Sequence, residues 1–115
     1  MHELSLAGGI LQQLEAAAER EHFSRVTTLH LEVGALAGVQ VEALRFALEA
    51  IAADTCLAGA NITISEPPGR AWCHRCAAEV TIDSRADPCP LCFGYPLKVT
   101  GGGELQILDL VVQDD

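Results

Sequence analysis

Long apolar runs are missing from this 115-residue chain: its longest uncharged stretches, residues 4–14 and 55–65, are 11 residues each. A bilayer-spanning helix needs about 18 to 20 apolar residues, so no membrane partner is expected. Cations are scarce as well. Seven Lys+Arg stand against sixteen Asp+Glu, a formal net charge of −9 with a pI near 4.7, whereas phosphate backbones are bound by neutralising them with cations. Aromatic side chains for base stacking are limited to Phe23, Phe46, Trp72, Phe93 and Tyr95. These shortages argue against a nucleic-acid partner and leave a basic protein surface or a metal cation as better matches. Met1-His2-Glu3 brings no basic region, apolar stretch and small-residue cleavage site in succession, so no secretory signal is predicted and a cytoplasmic location is expected. What the chain does have is enough apolar content to fold. Half of it is hydrophobic and a fifth charged, which excludes overall disorder, and its length suits one small domain.

Leu6, Ile10, Leu14, Ala17 and Ala18 recur at helical spacing, with Ser5 as the expected N-cap. Gly8 and Gly9 weaken that helix, so packing must support it. Leu29, Leu31 and Val33 alternate with Thr28, His30 and Glu32, a half-buried strand closed by Gly34 and Gly38. Val41, Leu44, Leu48 and Ile51 mark one stripe of a second helix over 40–54. Ile62 and Ile64 suggest a second strand, stopped by Pro67-Pro68-Gly69. Residues 68–103 differ, with little apolar periodicity, four cysteines and a closing Gly101-Gly102-Gly103. Leu105, Ile107, Leu108, Leu110, Val111 and Val112 then form a third, strongly apolar strand. The reading is an α+β domain, 1–67 with 104–115, whose small sheet of about three strands carries two helices. The lobe 68–103 is inserted before the last strand, which returns to pair in the sheet.

Four of the five cysteines fall as Cys73-x-x-Cys76 and Cys89-x-x-Cys92, with twelve residues between the pairs. In a reducing compartment such pairs bind metal rather than form disulfides. Two tight turns, each offering two sulfurs, can close a tetrahedron around one ion. Thiolates at about 2.3 Å suit Zn2+, and four protein ligands leave no open position, so the ion is expected to be structural. Trp72, Phe93 and Tyr95 are expected to pack over the cluster, and the zinc staples a lobe too poor in apolar residues to hold itself. Rubredoxin-type iron uses similar turns, although knuckles this close together fit a zinc ribbon better. A redox role would need a cysteine pair at a helix N-terminus, and neither pair precedes a helical pattern. Cys56 has no partner and reads as a small buried side chain.

His2 sits beside the α-amine of Met1. An amine, an amide nitrogen and an imidazole at adjacent positions can chelate one cation in fused rings, and such a nitrogen set favours Cu(II) or Ni(II). Taken alone, His2 reads more readily as a simple exposed terminal residue than as a ligand. Met1-His2-Glu3-Leu4-Ser5-Leu6, Leu31-Glu32-Val33-Gly34-Ala35-Leu36, Ala43-Leu44-Arg45-Phe46, Trp72-Cys73-x-x-Cys76, Cys89-Pro90-Leu91-Cys92 and Gly103-Glu104-Leu105 span the chain in order. Together they resemble the HypA/HybF family of hydrogenase nickel-incorporation proteins. That resemblance implies a non-enzymatic metallochaperone binding Ni2+ through its N-terminus and helping to insert it into the [NiFe]-hydrogenase large subunit, with the GTPase HypB as partner. Carried onto this chain, the nickel site is Met1, His2 and Glu3, with Ni2+ as transient cargo. The Zn2+ site is Cys73, Cys76, Cys89 and Cys92. The Glu3 carboxylate is left open between steering nickel and touching a partner. Some relatives carry a histidine after the second knuckle; here Phe93 stands there, and His74 inside the first knuckle is the one nearby imidazole. His22 is expected near the end of the first helix and His30 on a solvated strand face. A zinc-ribbon interaction module without a nickel role is the competing reading.

Overall fold

The structure, a computed structural model, describes residues 2–114. Its elements run α1 (His2–Glu21), β1 (Phe23–Val33), α2 (Val41–Ile51), β2 (Asn61–Ser65), β3 (Gly69–Cys73), β4 (Ala78–Ile82), β5 (Leu97–Gly101) and β6 (Leu105–Asp114). Two three-stranded sheets result, ordered β2-β1-β6 and β4-β3-β5. This is the expected α+β class, with the last strand returning to pair with the first. The chain divides into two compact units. One holds residues 1–31, 39–64 and 107–115, the other Glu32–Gly38 with Ser65–Gln106.

In the first unit, α1 buries Ala7, Ile10 and Leu14 along one stripe and packs on α2, which buries Leu44, Ala47 and Leu48. The helix begins at His2, so Ser5 lies inside it and is not its N-cap. Glu3 in the first turn and Arg20 in the last complement the helix dipole. The chain leaves α1 through His22 at φ 61, the left-handed conformation that commonly ends helices. The second helix stops at Ile51, short of the expected Asp54. Thr55 caps the following turn: its hydroxyl donates to the Ala52 carbonyl at 2.6 Å and accepts from the Leu57 N–H at 3.1 Å.

Strand β1 starts at Phe23, five residues ahead of the predicted Thr28. Its buried positions are Phe23, Val26, Leu29, Leu31 and Val33. Spacings of three before Leu29 hide the strand from a period-two search. Opposite-order pairs join β1 to β6, which makes the two antiparallel. The Thr27 hydroxyl donates to the Val111 carbonyl at 3.1 Å, the Ser24 hydroxyl to the Gln113 carbonyl at 3.3 Å, and His30 Nδ1 lies 3.5 Å from Asp109 Oδ2. His30 is therefore half-buried against a carboxylate, not simply solvated.

The second unit has its own core. Leu36, Ala71, Cys73, Val80, Ile82 and Cys89 are buried together, with Cys76, Cys92, Leu97 and Val99 packed against them. Strand β3 pairs antiparallel with β4 and β5, placing Trp72 beside Glu79 and Lys98 on the outer face while Ala71 and Cys73 point inward. Where β1 ends, Gly34 and Leu36 donate to the Glu104 and Gly102 carbonyls, each at 2.8 Å, and Ala35 donates to Pro67 at 2.9 Å. A Cβ on Gly34 would lie 2.1 Å from the Gly102 oxygen, so only glycine permits this crossing.

Candidate metal centre

Each CxxC turn brings its two sulfurs to one side, and the two turns face each other. The four Sγ atoms of Cys73, Cys76, Cys89 and Cys92 all lie within 4.8 Å of one another. Two opposite edges of the figure they form measure 3.7 Å, Cys73 to Cys92, and 3.9 Å, Cys76 to Cys89. A tetrahedron with metal–sulfur bonds of about 2.3 Å has edges of about 3.8 Å. The cluster therefore has the dimensions of a closed four-thiolate site, and it is a zinc-ribbon-like arrangement.

Local backbone geometry explains the positions. The Cys76 N–H points at Cys73 Sγ and the Leu91 N–H at Cys89 Sγ, each at 3.4 Å. Phe93 donates to the Cys89 carbonyl at 2.8 Å, and Cys89 donates to the Gly94 carbonyl at 3.1 Å, closing the second knuckle. Ala77 and Phe93, the residues after each second cysteine, take φ of 50 and 59. Glycine usually signals that left-handed turn, and its absence here concealed the geometry from the sequence. Backbone N–H groups, foremost that of Cys92, lower the Cys89 thiol to about 7. Sulfur neighbours, foremost Cys92, push Cys76 up to about 12. Four thiols this close cannot all ionise without a cation among them. Cys73 and Cys89 are buried, Cys76 and Cys92 partly so.

Trp72, Phe93 and Tyr95, expected over the cluster, are not among the side chains of its buried core. Phe93 is 76% exposed, and Tyr95 and Trp72 also face outward. The Tyr95 hydroxyl donates instead to the Ala86 carbonyl at 2.8 Å. The sulfurs are packed by Leu36, Leu97 and Val99. His74 is exposed on the first knuckle. Cys56 stays outside the sulfur group and is buried, as expected. Its N–H donates to the Glu15 carboxylate at 3.0 Å, and burial, then Glu15, pushes its thiol up to about 11.

The expected nickel residues fall at the start of α1. The amine of Met1 lies outside the described residues. His2 is exposed, with Nδ1 3.8 Å from Glu3 Oε2. That same carboxylate oxygen accepts the Gln40 N–H at 3.1 Å. The bond from Gln40 is the main cause of a Glu3 carboxyl held below its usual range. No side chain caps α2 at Gln40, so Glu3 ties the start of α1 to the start of α2. Sequence reasoning missed this link, because nothing in spacing joins positions 37 residues apart.

The fold and the four-sulfur group define a small α+β metal-binding protein with a ribbon-type cysteine centre. The chain belongs to the HypA family, described as hydrogenase/urease nickel incorporation metallochaperones, whose sequence pattern it matches over residues 1–112. It is 61% identical over 114 residues to the hydrogenase maturation factor HypA of Cupriavidus necator, covering 99% of this chain and 96% of that one. It is 54% identical over 115 residues to the HypA of Polaromonas naphthalenivorans, covering both chains fully. In fold it is similar to the solution structure of the Ni metallochaperone HypA from Helicobacter pylori, with a TM-score of 0.69, 16% identity and 98% of each chain covered. A second HypA solution structure gives 0.72 at 17% identity, covering 100% of this chain and 98% of that one.

Proposed function

We propose that this chain carries Ni2+ on the N-terminal end of α1 and hands it to the large subunit of a [NiFe]-hydrogenase, working with the GTPase HypB, while Zn2+ is fixed by Cys73, Cys76, Cys89 and Cys92. The donors for nickel are the Met1 amine, the His2 imidazole and the backbone amides of His2 and Glu3. One observation carries this reading: α1 opens at His2 with its imidazole exposed. The first N–H groups of a helix have no intrahelical carbonyl acceptor, so a metal taken up there would not compete with the helix's own ladder. The Glu3 carboxylate is engaged by the Gln40 N–H and by its own backbone N–H, which gives the side chain an anchoring role and leaves the backbone nitrogen as the nickel donor once that weaker contact is given up.

The sulfur centre serves architecture. Zinc held there supplies charge neutralisation to four thiolates and joins the two knuckles. It has no open position for chemistry, and two of its ligands are core residues. Nickel on an exposed terminus can leave by stepwise ligand exchange without disturbing that core. The test is nickel titration followed by absorption spectroscopy on untagged protein, on a form extended by one residue before Met1, and on His2→Ala. The expected result is a planar low-spin nickel spectrum in the first and its loss in the other two, all three keeping one zinc. Unchanged nickel binding by the extended form would refute terminal ligation.

A further inference from the structure

Strand β6 ends its sheet, with no strand beyond it among the described residues. The Thr27 and Ser24 hydroxyls reach the carbonyls of Val111 and Gln113, so those two residues turn their backbone polar groups toward β1. In an extended strand this direction alternates from residue to residue. Leu110, Val112 and Asp114 therefore aim N–H and C=O away from the sheet. Such an edge is a template for another strand unless proline, lysine or a covering element blunts it. Strand β6 contains neither proline nor lysine. Leu108, Val111 and Val112 are 42%, 57% and 36% exposed along it, and solvation of apolar side chains is unfavourable; Val111 and Val112, being neighbours, lie on opposite faces of the strand.

Charge selects the occupant. The unit holding this edge carries Arg20, Arg25 and Arg45 against ten Asp and Glu, a net of −7. Asp109 and Asp114 lie on the strand itself. A second copy would set acidic strand against acidic strand, which is repulsive at cross-strand distances. We propose that residues 107–114 of β6 dock an extended segment of a partner protein, alternating apolar and basic side chains, as a fourth strand of the β2-β1-β6 sheet. The backbone supplies the register, Leu108, Val111 and Val112 the apolar contact, and the acidic surface the attraction. This inference is independent of where nickel binds.

The experiment uses the purified full-length protein and three acetylated octapeptides at low salt. One alternates lysine and valine, one glutamate and valine, and one is the lysine–valine peptide with N-methylated backbone. The lysine–valine peptide is expected to slow amide exchange of Leu110, Val112 and Asp114 at least tenfold. Val111 and Gln113, turned toward β1, should be unaffected. The other two peptides should bind at least tenfold more weakly. Val112→Pro removes an outward N–H without touching the β1 ladder, a placement edge strands accept; it should abolish binding while circular dichroism and zinc content stay as in the wild type. Equal binding of the N-methylated peptide would reduce the effect to charge and overturn the proposal. So would absence of protection on β6, or protection that grows with protein concentration alone and so reports a second copy.

Discussion

Replacing Gly34 by alanine tests whether the crossing at Gly34 and Gly102, within the cysteine-bearing unit, is as tight as its geometry indicates. The added Cβ would lie 2.1 Å from the Gly102 oxygen, 2.3 Å from its carbonyl carbon and 2.8 Å from its Cα. Each of those atoms is backbone, so none can swing aside as a side-chain tip would. Relief requires the two segments to part by more than 1 Å, judged against ordinary contact at 3.4–4 Å. Parting them strains the bonds from Gly34 to Glu104 and from Leu36 to Gly102. Overpacking costs about 1–3 kcal/mol and each lost hydrogen bond about 1 kcal/mol. The expected destabilisation is therefore about 3–5 kcal/mol, a large share of the roughly 5–15 kcal/mol typical of a folded domain. The assay is built in. Trp72 is the single tryptophan and lies on β3 of the affected unit, so its fluorescence follows that unit through a urea titration. At about 1–3 kcal/mol per molar urea, the midpoint should fall by at least 1 M. Gly8 is the control, because a Cβ there meets nothing within 4 Å. Gly8→Ala should stabilise α1 by about 0.5–1 kcal/mol through helix propensity. A Gly34→Ala midpoint within 0.3 M or so of wild type would refute the steric account.

Cys73→Ser should abolish zinc retention and the cooperative Trp72 transition, because the structural metal contributes about 10–16 kcal/mol of apparent binding energy in small zinc modules; metal analysis and fluorescence of the same sample read both. Cys56, its thiol raised to about 11 by burial and Glu15, should resist iodoacetamide at pH 8 in the folded protein and react once urea unfolds it, as peptide mass mapping would show. Glu3 has a folded pKa below its ordinary 4.5, so its contribution is complete above that value and is lost as pH falls through the lower folded pKa. Helical circular dichroism should accordingly show Glu3→Gln losing thermal stability less steeply than wild type below pH 4.5.

Where one periodicity ran unbroken, the sequence was readable. Leu29, Leu31 and Val33 announce the second half of β1, and Leu44 and Leu48 announce α2. The cysteine spacing announces a four-sulfur centre whose edges then measure 3.7 and 3.9 Å. Legibility failed where non-local partners decide. Phe23 and Val26 extend β1 through a three-residue spacing that alternation rejects. Strands β3 to β5 are five residues each, too short for a pattern to emerge. Leu36 is buried with Ala71 and Ile82, a contact that periodicity around position 36 does not signal. The apolar run of β6 was legible as a strand that pairs in the sheet, but the exposure of Leu108, Val111 and Val112 along it was not. Aromatic character gave no guide to burial. The cysteines themselves are part of the buried interior of their unit, while Phe93 and Tyr95 are exposed.

In the proposed function two metals share one small chain, and the two sites would hold them differently. Cys73 and Cys89 are as much core residues as ligands, 2% and 0% exposed, in a unit whose other buried side chains are few. Extracting an ion from them would open the core along with the coordination sphere, so the barrier to release is tied to unfolding. At the start of α1 the relation is reversed. The Glu3 carboxylate holds the helix end against the Gln40 N–H, while the His2 side chain is 61% exposed. Donors there can let go one at a time while Glu3 keeps the backbone in place. Soft, buried sulfur suits a resident ion and exposed nitrogen suits a passing one, and separate anchoring of the helix end allows the second to exchange without loosening the fold.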